Sequence, residues 1–158
     1  MLFKVLCDPG DRVLVPAPSY PLLEHLAAFE AVTLVPYPLV YDGRWHVDLP
    51  ALRVRAEGAR AIVVVSPNNP TGSYLAKDEL DAMLGLGLPI LADEVFALYP
   101  FRDDSRRAGS VLAADRGLVF ALSGLSKTCG LPQLKLGWAA VGGDPAAAER
   151  ALARMELV

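Results

Sequence analysis

Short apolar runs, several of them β-branched, recur along this chain, and most are followed by a stretch of helical character. The runs fall at 12–15, 31–35, 61–65, 89–92, 118–122 and 137–141, and the helix-like stretches at 20–29, 48–57, 76–86 and 145–157. A run such as Ala61-Ile62-Val63-Val64-Val65 has no polar face to offer water, so it belongs in a sheet covered on both sides. Strands that alternate with helices in this way predict an α/β fold with a parallel sheet between helical layers.

Local signals mark the helix starts. Asp48 stands just ahead of Pro50, Lys77, Asp78, Glu79 and Asp81 crowd charge into the first turns of the next helix, and Asp144 is a cap followed by Pro145 at the first helical position. Arg102-Asp103-Asp104-Ser105-Arg106-Arg107 reads as a polar loop leading into a short helix. The chain shows no internal repeat and no low-complexity linker.

Composition narrows the function classes. A net charge of -3 leaves no basic footprint for nucleic acid, and Arg53, Arg55 and Arg60 read as a solvated face around a helix end. At 53% hydrophobic residues and a mean hydropathy of +0.34 the chain is unusually apolar, yet no run is long enough and free enough of charge and proline to span a bilayer. That balance suits a core cut from a larger protein. The N-terminus does not read as a signal peptide. Cys7 and Cys129 have no metal-ligand spacing and read as reduced thiols of a cytoplasmic protein, so no metal site is expected. His25 and His46 lack any partner pattern and read as surface residues.

Four segments carry chemistry. Leu118-Val119-Phe120-Ala121-Leu122 leads into Ser123-Gly124-Leu125-Ser126-Lys127, with a second cation, Lys135, eight residues later. Lysines normally stay in solvent. One held in a half-buried pocket at the mouth of a buried strand can lose basicity and act as an amine nucleophile. Ser66-Pro67-Asn68-Asn69-Pro70-Thr71-Gly72 follows the 61–65 run, and an Asn at the carboxyl end of a strand can donate its side-chain N–H into the crevice where open α/β sheets bind ligands. Pro89-Ile90-Leu91-Ala92 ends in two acids, Asp93 and Glu94, and Pro16-Ala17-Pro18-Ser19-Tyr20-Pro21 presents an aromatic ring on a proline-rich turn. Taken singly, each has an ordinary explanation as a turn, a polar strand end or a loop anchor.

Together, and in this order, the four segments resemble those of the fold-type-I pyridoxal phosphate (PLP) enzymes, specifically the class I/II aminotransferases. The resemblance implies a three-layer α/β/α domain with a mostly parallel sheet and one antiparallel strand, the last, near Gly137–Val141. It implies that Lys127 is the catalytic lysine that carries PLP, that Asp93 pairs with the pyridine nitrogen, and that Asn69 bonds the ring oxygen. By the same resemblance Tyr20 stacks on the ring and Ser126 and Lys135 hold the phosphate; Glu94 reads as a structural acid or one that acts through a neighbour. It also implies cis bonds at Asn69–Pro70 and Ala17–Pro18. Three positions depart from the family's pattern: Phe96 stands where a tyrosine often supports the ring oxygen, Lys135 where an arginine is usual, and Gly124 where some relatives carry a phosphate-binding serine, a contact that Ser123 could take over.

The implied activity is transfer of an amino group between an amino acid and a 2-oxo acid, by an enzyme working as a homodimer. The resemblance covers essentially the whole chain but less than half of a typical member. It makes residues 1–158 a partial PLP-binding large domain, without the first sheet strand and the C-terminal small domain, and inactive alone. Two other readings use the same residues: a PLP-dependent lyase or synthase on the same scaffold, and a non-catalytic truncated domain.

Overall fold

The computed structural model describes residues 1–157. Seven strands form one sheet: β1 (Arg12–Ala17), β2 (Thr33–Tyr41), β3 (Trp45–Val47), β4 (Ala59–Val65), β5 (Ile90–Asp93), β6 (Leu118–Gly124) and β7 (Gly137–Gly143), in the order β3-β2-β1-β4-β5-β6-β7. The five strands from β2 to β6 run parallel, whereas β3 lies antiparallel on β2 and β7 antiparallel on β6. The expected antiparallel strand at 137–141 is present. The single antiparallel strand of the sequence reading becomes two, because Asp42-Gly43-Arg44 turns the chain back on itself and lets Trp45–Val47 pair with the far end of β2. Gly43, with φ of 102°, supplies the left-handed residue of that turn.

The central strands are buried on both faces, as their unbroken apolar runs require. Alternate residues serve opposite layers. Leu14, Ile62, Val64, Ile90, Ala92, Val119 and Ala121 face one core, closed by Leu52 of α3 (Leu49–Arg55) and by Leu80, Met83 and Leu84 of α4 (Lys77–Leu84). Val13, Val15, Ala61, Val63, Leu91 and Phe120 face the other, closed by Phe3 of α1 (Leu2–Leu6), Ala27 of α2 (Leu22–Phe29) and Ala151 of α6 (Pro145–Met155). The remaining helix, α5 (Leu125–Thr128), is one turn long and carries Lys127. The Asp48 and Asp144 carboxylates cap α3 and α6 by accepting from Ala51 N and Ala147 N at 2.9 and 2.8 Å.

One buried acid ties the hairpin to the body. Glu79 of α4, only 5% exposed, accepts from Val47 N of β3 and from Ala76 N ahead of its own helix, each at 2.7 Å. Its charge reinforces what burial already does to the Tyr37 phenol, whose pKa is pushed far up while its hydroxyl donates to Val63 O at 2.9 Å. Replacing Glu79 by Ala strands two backbone N–H groups, each worth roughly 1–3 kcal/mol when left unpaired. Glu79→Ala should therefore lower the unfolding free energy by about 3 kcal/mol in urea titrations, whereas Asp78→Ala, on the exposed side of the same turn, should change it little.

At the other end of the sheet β7 pairs only with β6 and leaves its outer edge open. Open edges recruit strands from other chains. The chain in solution should self-associate with rising concentration by light scattering. A monomer that persists at high concentration would show that the edge is protected.

Candidate active site

The parallel strands all end on the same side of the sheet, and every residue singled out from the motifs lies at or just beyond those ends. β1 delivers Tyr20, β4 delivers Asn69, β5 delivers Asp93, and β6 leads into Ser126 and Lys127. The register sets Val65 beside Asp93 and Asp93 beside Leu122.

Asp93 and Tyr20 line one trough of about 540 Å³, with Val63, Val65, Leu91 and Leu122 beside Asp93 and, opposite, mostly apolar residues of α1 and α2 together with Glu30. Volumes of this size suit a small-molecule site. Burial in these surroundings raises the Asp93 pKa. A hydrogen bond from Val95 N at 3.1 Å and the charge of Lys127 oppose that rise without cancelling it. Asp93 is thus a carboxylate at the floor of an apolar trough with little to neutralise it, which is the setting for a cationic N–H partner.

Asn69 opens onto a neighbouring cavity of about 320 Å³, shared with Phe96, Tyr99 and Phe101. The Lys127 ammonium stands 5.4 Å from the centre of the Phe96 ring, within cation–π range, and the Tyr99 hydroxyl donates to Lys127 O. Lys127 itself is exposed, where the sequence suggested a half-buried lysine. The reason is that α5 is a single turn with no buried residue. Ser126, half-buried, and Lys135, exposed and in the left-handed region at φ 50°, line neither cavity. The folded chain therefore groups Tyr20 with Asp93, and Asn69 with Phe96 beside Lys127, and leaves Ser126 and Lys135 outside both groups.

Several supporting residues were not visible in the sequence. Asn68, 4% exposed, donates through Nδ2 to Pro18 O at 3.1 Å and to Thr71 Oγ1 at 2.9 Å, so it fastens the Asn69 loop to the loop that presents Tyr20. The doubled Asn-Asn was the available signal, and only the second Asn drew attention because it precedes the proline. Asn68 Oδ1 and Ser19 Oγ are buried without partners among the described residues. Glu94 accepts from Val111 N at 2.7 Å and fixes the segment after the acids, the structural part expected of it. The bonds Ala17–Pro18 and Asn69–Pro70 are cis, as expected, and so is Ser66–Pro67.

Gly124 has a steric reason to be glycine. A Cβ there would fall 2.8 Å from Leu136 O, which accepts from Leu125 N at 3.0 Å and closes the base of the lysine loop. Ser123, the residue suggested to take over a phosphate contact, lines a separate cavity of about 530 Å³ with Ser66, Glu94, Thr128 and Trp138.

The sequence model of the family described as aminotransferase class I and II matches residues 1–156. An alanine aminotransferase of Mycobacterium bovis is 32% identical over 148 residues, covering 90% of this chain and 34% of that protein. A glutamate-pyruvate aminotransferase of Escherichia coli is 30% identical over 160 residues, covering 98% of this chain and 39% of that one. Among solved structures, an alanine aminotransferase from Pyrococcus furiosus superimposes with a TM-score of 0.84 at 30% identity, over 99% of this chain and 42% of that one. The chain thus spans between a third and two-fifths of the length of these curated relatives. On the family match and the shared fold, the chain belongs to the class I and II aminotransferases.

Proposed function

We propose that these residues form a partial PLP-binding large domain of an aminotransferase that moves an amino group between an amino acid and a 2-oxo acid. The observation that carries the reading is Asp93, a carboxylate with a raised pKa at the floor of an apolar trough rimmed by the Tyr20 ring. These residues fit PLP: the carboxylate matches a protonated pyridine nitrogen and the trough matches a flat aromatic body. PLP when bound supplies an electron sink for the carbanion formed at the substrate's α-carbon.

The chain's own residues divide the rest. Asp93 holds the ring proton, Tyr20 covers the ring face, and Asn69 donates to the ring oxygen without a tyrosine to help it, since Phe96 has no hydroxyl. Lys127 would hold the cofactor through Nζ and, with that amine free, would move the proton from the substrate's α-carbon to the cofactor's C4′. The Lys127 ammonium lies 5.4 Å from the centre of the Phe96 ring, a contact worth about 0.5–1 kcal/mol at an exposed site. Ser126 and Lys135 are assigned to the phosphate. Lys135 neutralises charge without the bidentate fork of an arginine.

No arginine or lysine lines the trough among the described residues, so a substrate carboxylate finds no cation there. On this ground the isolated chain is assigned no turnover. Homodimeric assembly and a cytoplasmic setting complete the reading for the whole enzyme. Exposed Leu98, Tyr99 and Phe101 near the site support assembly.

Two measurements test this. After incubation with PLP, borohydride should fix the cofactor on Lys127, identified by the mass of the labelled peptide. Lys127→Ala should lose that label while keeping weak reversible binding, and in an enzyme that carries these residues at its site it should abolish transamination. Label spread evenly over Lys4, Lys77, Lys127 and Lys135 would sink the assignment, and release of ammonia and pyruvate by the active enzyme would move it to a lyase.

The second concerns Asp93 in the unliganded chain. Because its pKa is higher folded than unfolded, the folded state binds that proton more tightly, and the resulting stability is complete at low pH and lost as pH rises through the raised pKa. Asp93→Asn lacks this loss. Its melting temperature should match the parent's in acid, exceed it as pH rises to the raised pKa, and keep a constant lead above that. Equal melting temperatures at neutral pH would mean that the carboxylate is not strained by its surroundings.

A further inference from the structure

Away from Asp93 and Lys127 the fold assembles a different, polar concavity, which adjoins the Asn69 cavity at Gly72, Tyr74 and Phe101. The β2–β3 turn, the Thr71–Ser73 stretch and the loop at 101–107 enclose a cleft of about 280 Å³. Four arginines line it, Arg44, Arg102, Arg106 and Arg107, against a single acid, Asp104. That acid is already spent: its two oxygens accept from Arg106 Nε and Nη2 at 3.0 and 2.7 Å. Arg44, Arg102 and Arg107 have no carboxylate partner among the described residues, in a chain whose net charge is -3. The other nearby acid of the turn, Asp42, faces His46 at 3.3 Å.

The cleft is also partly built in advance. The Arg107 guanidinium lies 4.2 Å from the centre of the Tyr74 ring and donates to Arg102 O, so stacking and a hydrogen bond both orient it. Thr71 Oγ1 and Ser73 Oγ, 2.7 Å apart, place two hydroxyls on the wall. Tyr41 and Trp45, tilted against each other at 5.5 Å, supply an aromatic side. Guanidinium forks match oxygen pairs on one centre, and several forks around one cavity favour an anion with oxygens on more than one side. We propose that this cleft is a binding site for a phosphate-class oxyanion, separate from the trough that holds Asp93 and Tyr20.

Trp45 lines the cleft and Trp138 does not, so a Trp138→Phe variant makes tryptophan emission report on the cleft alone. Pyrophosphate titrated into that variant should change Trp45 emission saturably, and sodium chloride at equal ionic strength should not reproduce the change. Adding Arg44→Ala or Arg102→Ala should weaken binding roughly tenfold each, as removal of a charge-assisted hydrogen bond does, with far-UV circular dichroism and the melting curve unchanged. Arg107→Lys keeps the charge and loses the fork, and should weaken binding as well. Binding that survives both alanine substitutions, or a response that never saturates, would overturn the proposal. Citrate binding as tightly as pyrophosphate would overturn the assignment to phosphate.

Discussion

The constraint on which everything else in this structure rests is burial of the central strands on both faces. Val13, Leu14, Ile62, Val63, Ile90, Leu91, Val119 and Phe120 are all sealed from water. A sheet covered this way has no room for working polar groups along its length, because an unpaired polar group there would cost more than the fold could recover. Chemistry is pushed to the strand ends, and parallel strands all end on one side. The convergence of Tyr20, Asn69, Asp93 and Lys127 at that rim therefore follows from the core, and the motifs only decide which side chains arrive there.

Much of this was legible in the sequence, for the same reason. Runs such as 61–65 and 118–122 are apolar without interruption, so their place in a covered sheet could be read directly. The capping carboxylates Asp48 and Asp144 could be read as well, since each stands ahead of a proline at the start of a helix-like stretch. The β3 strand was not legible: Trp45–Val47 is three residues long, and its pairing is fixed by a turn and by Glu79, which is 32 residues away in the chain. No local pattern announces a partner at that distance. The fastening role of Asn68 was hidden in a similar way, because its partner Pro18 O lies 50 residues back.

At the site, the motifs indicate which side chains gather at the strand ends but not how exposed each one is. Asp93 sits where the apolar floor of the trough raises its pKa. Lys127 was expected to share that shelter. Burial of a long side chain requires neighbours that wrap it, and the residues around α5, from Cys129 to Leu136, are themselves exposed. That information resides in how the loop packs.

The loop from Leu125 to Leu136 is cinched at its base by the Leu125–Leu136 hydrogen bond and again inside by Leu131 N donating to Leu125 O at 3.1 Å. Lys127 and Lys135 both ride within it, whereas Asp93 and Tyr20 ride on other strands. The two cations thus keep their mutual spacing as a property of one closed cartridge, and the distance between this cartridge and the acid is a separate adjustment. A lineage could lengthen or reshape the rim around Tyr20 without disturbing the cation pair. It could not insert a residue between the two lysines without altering both at once.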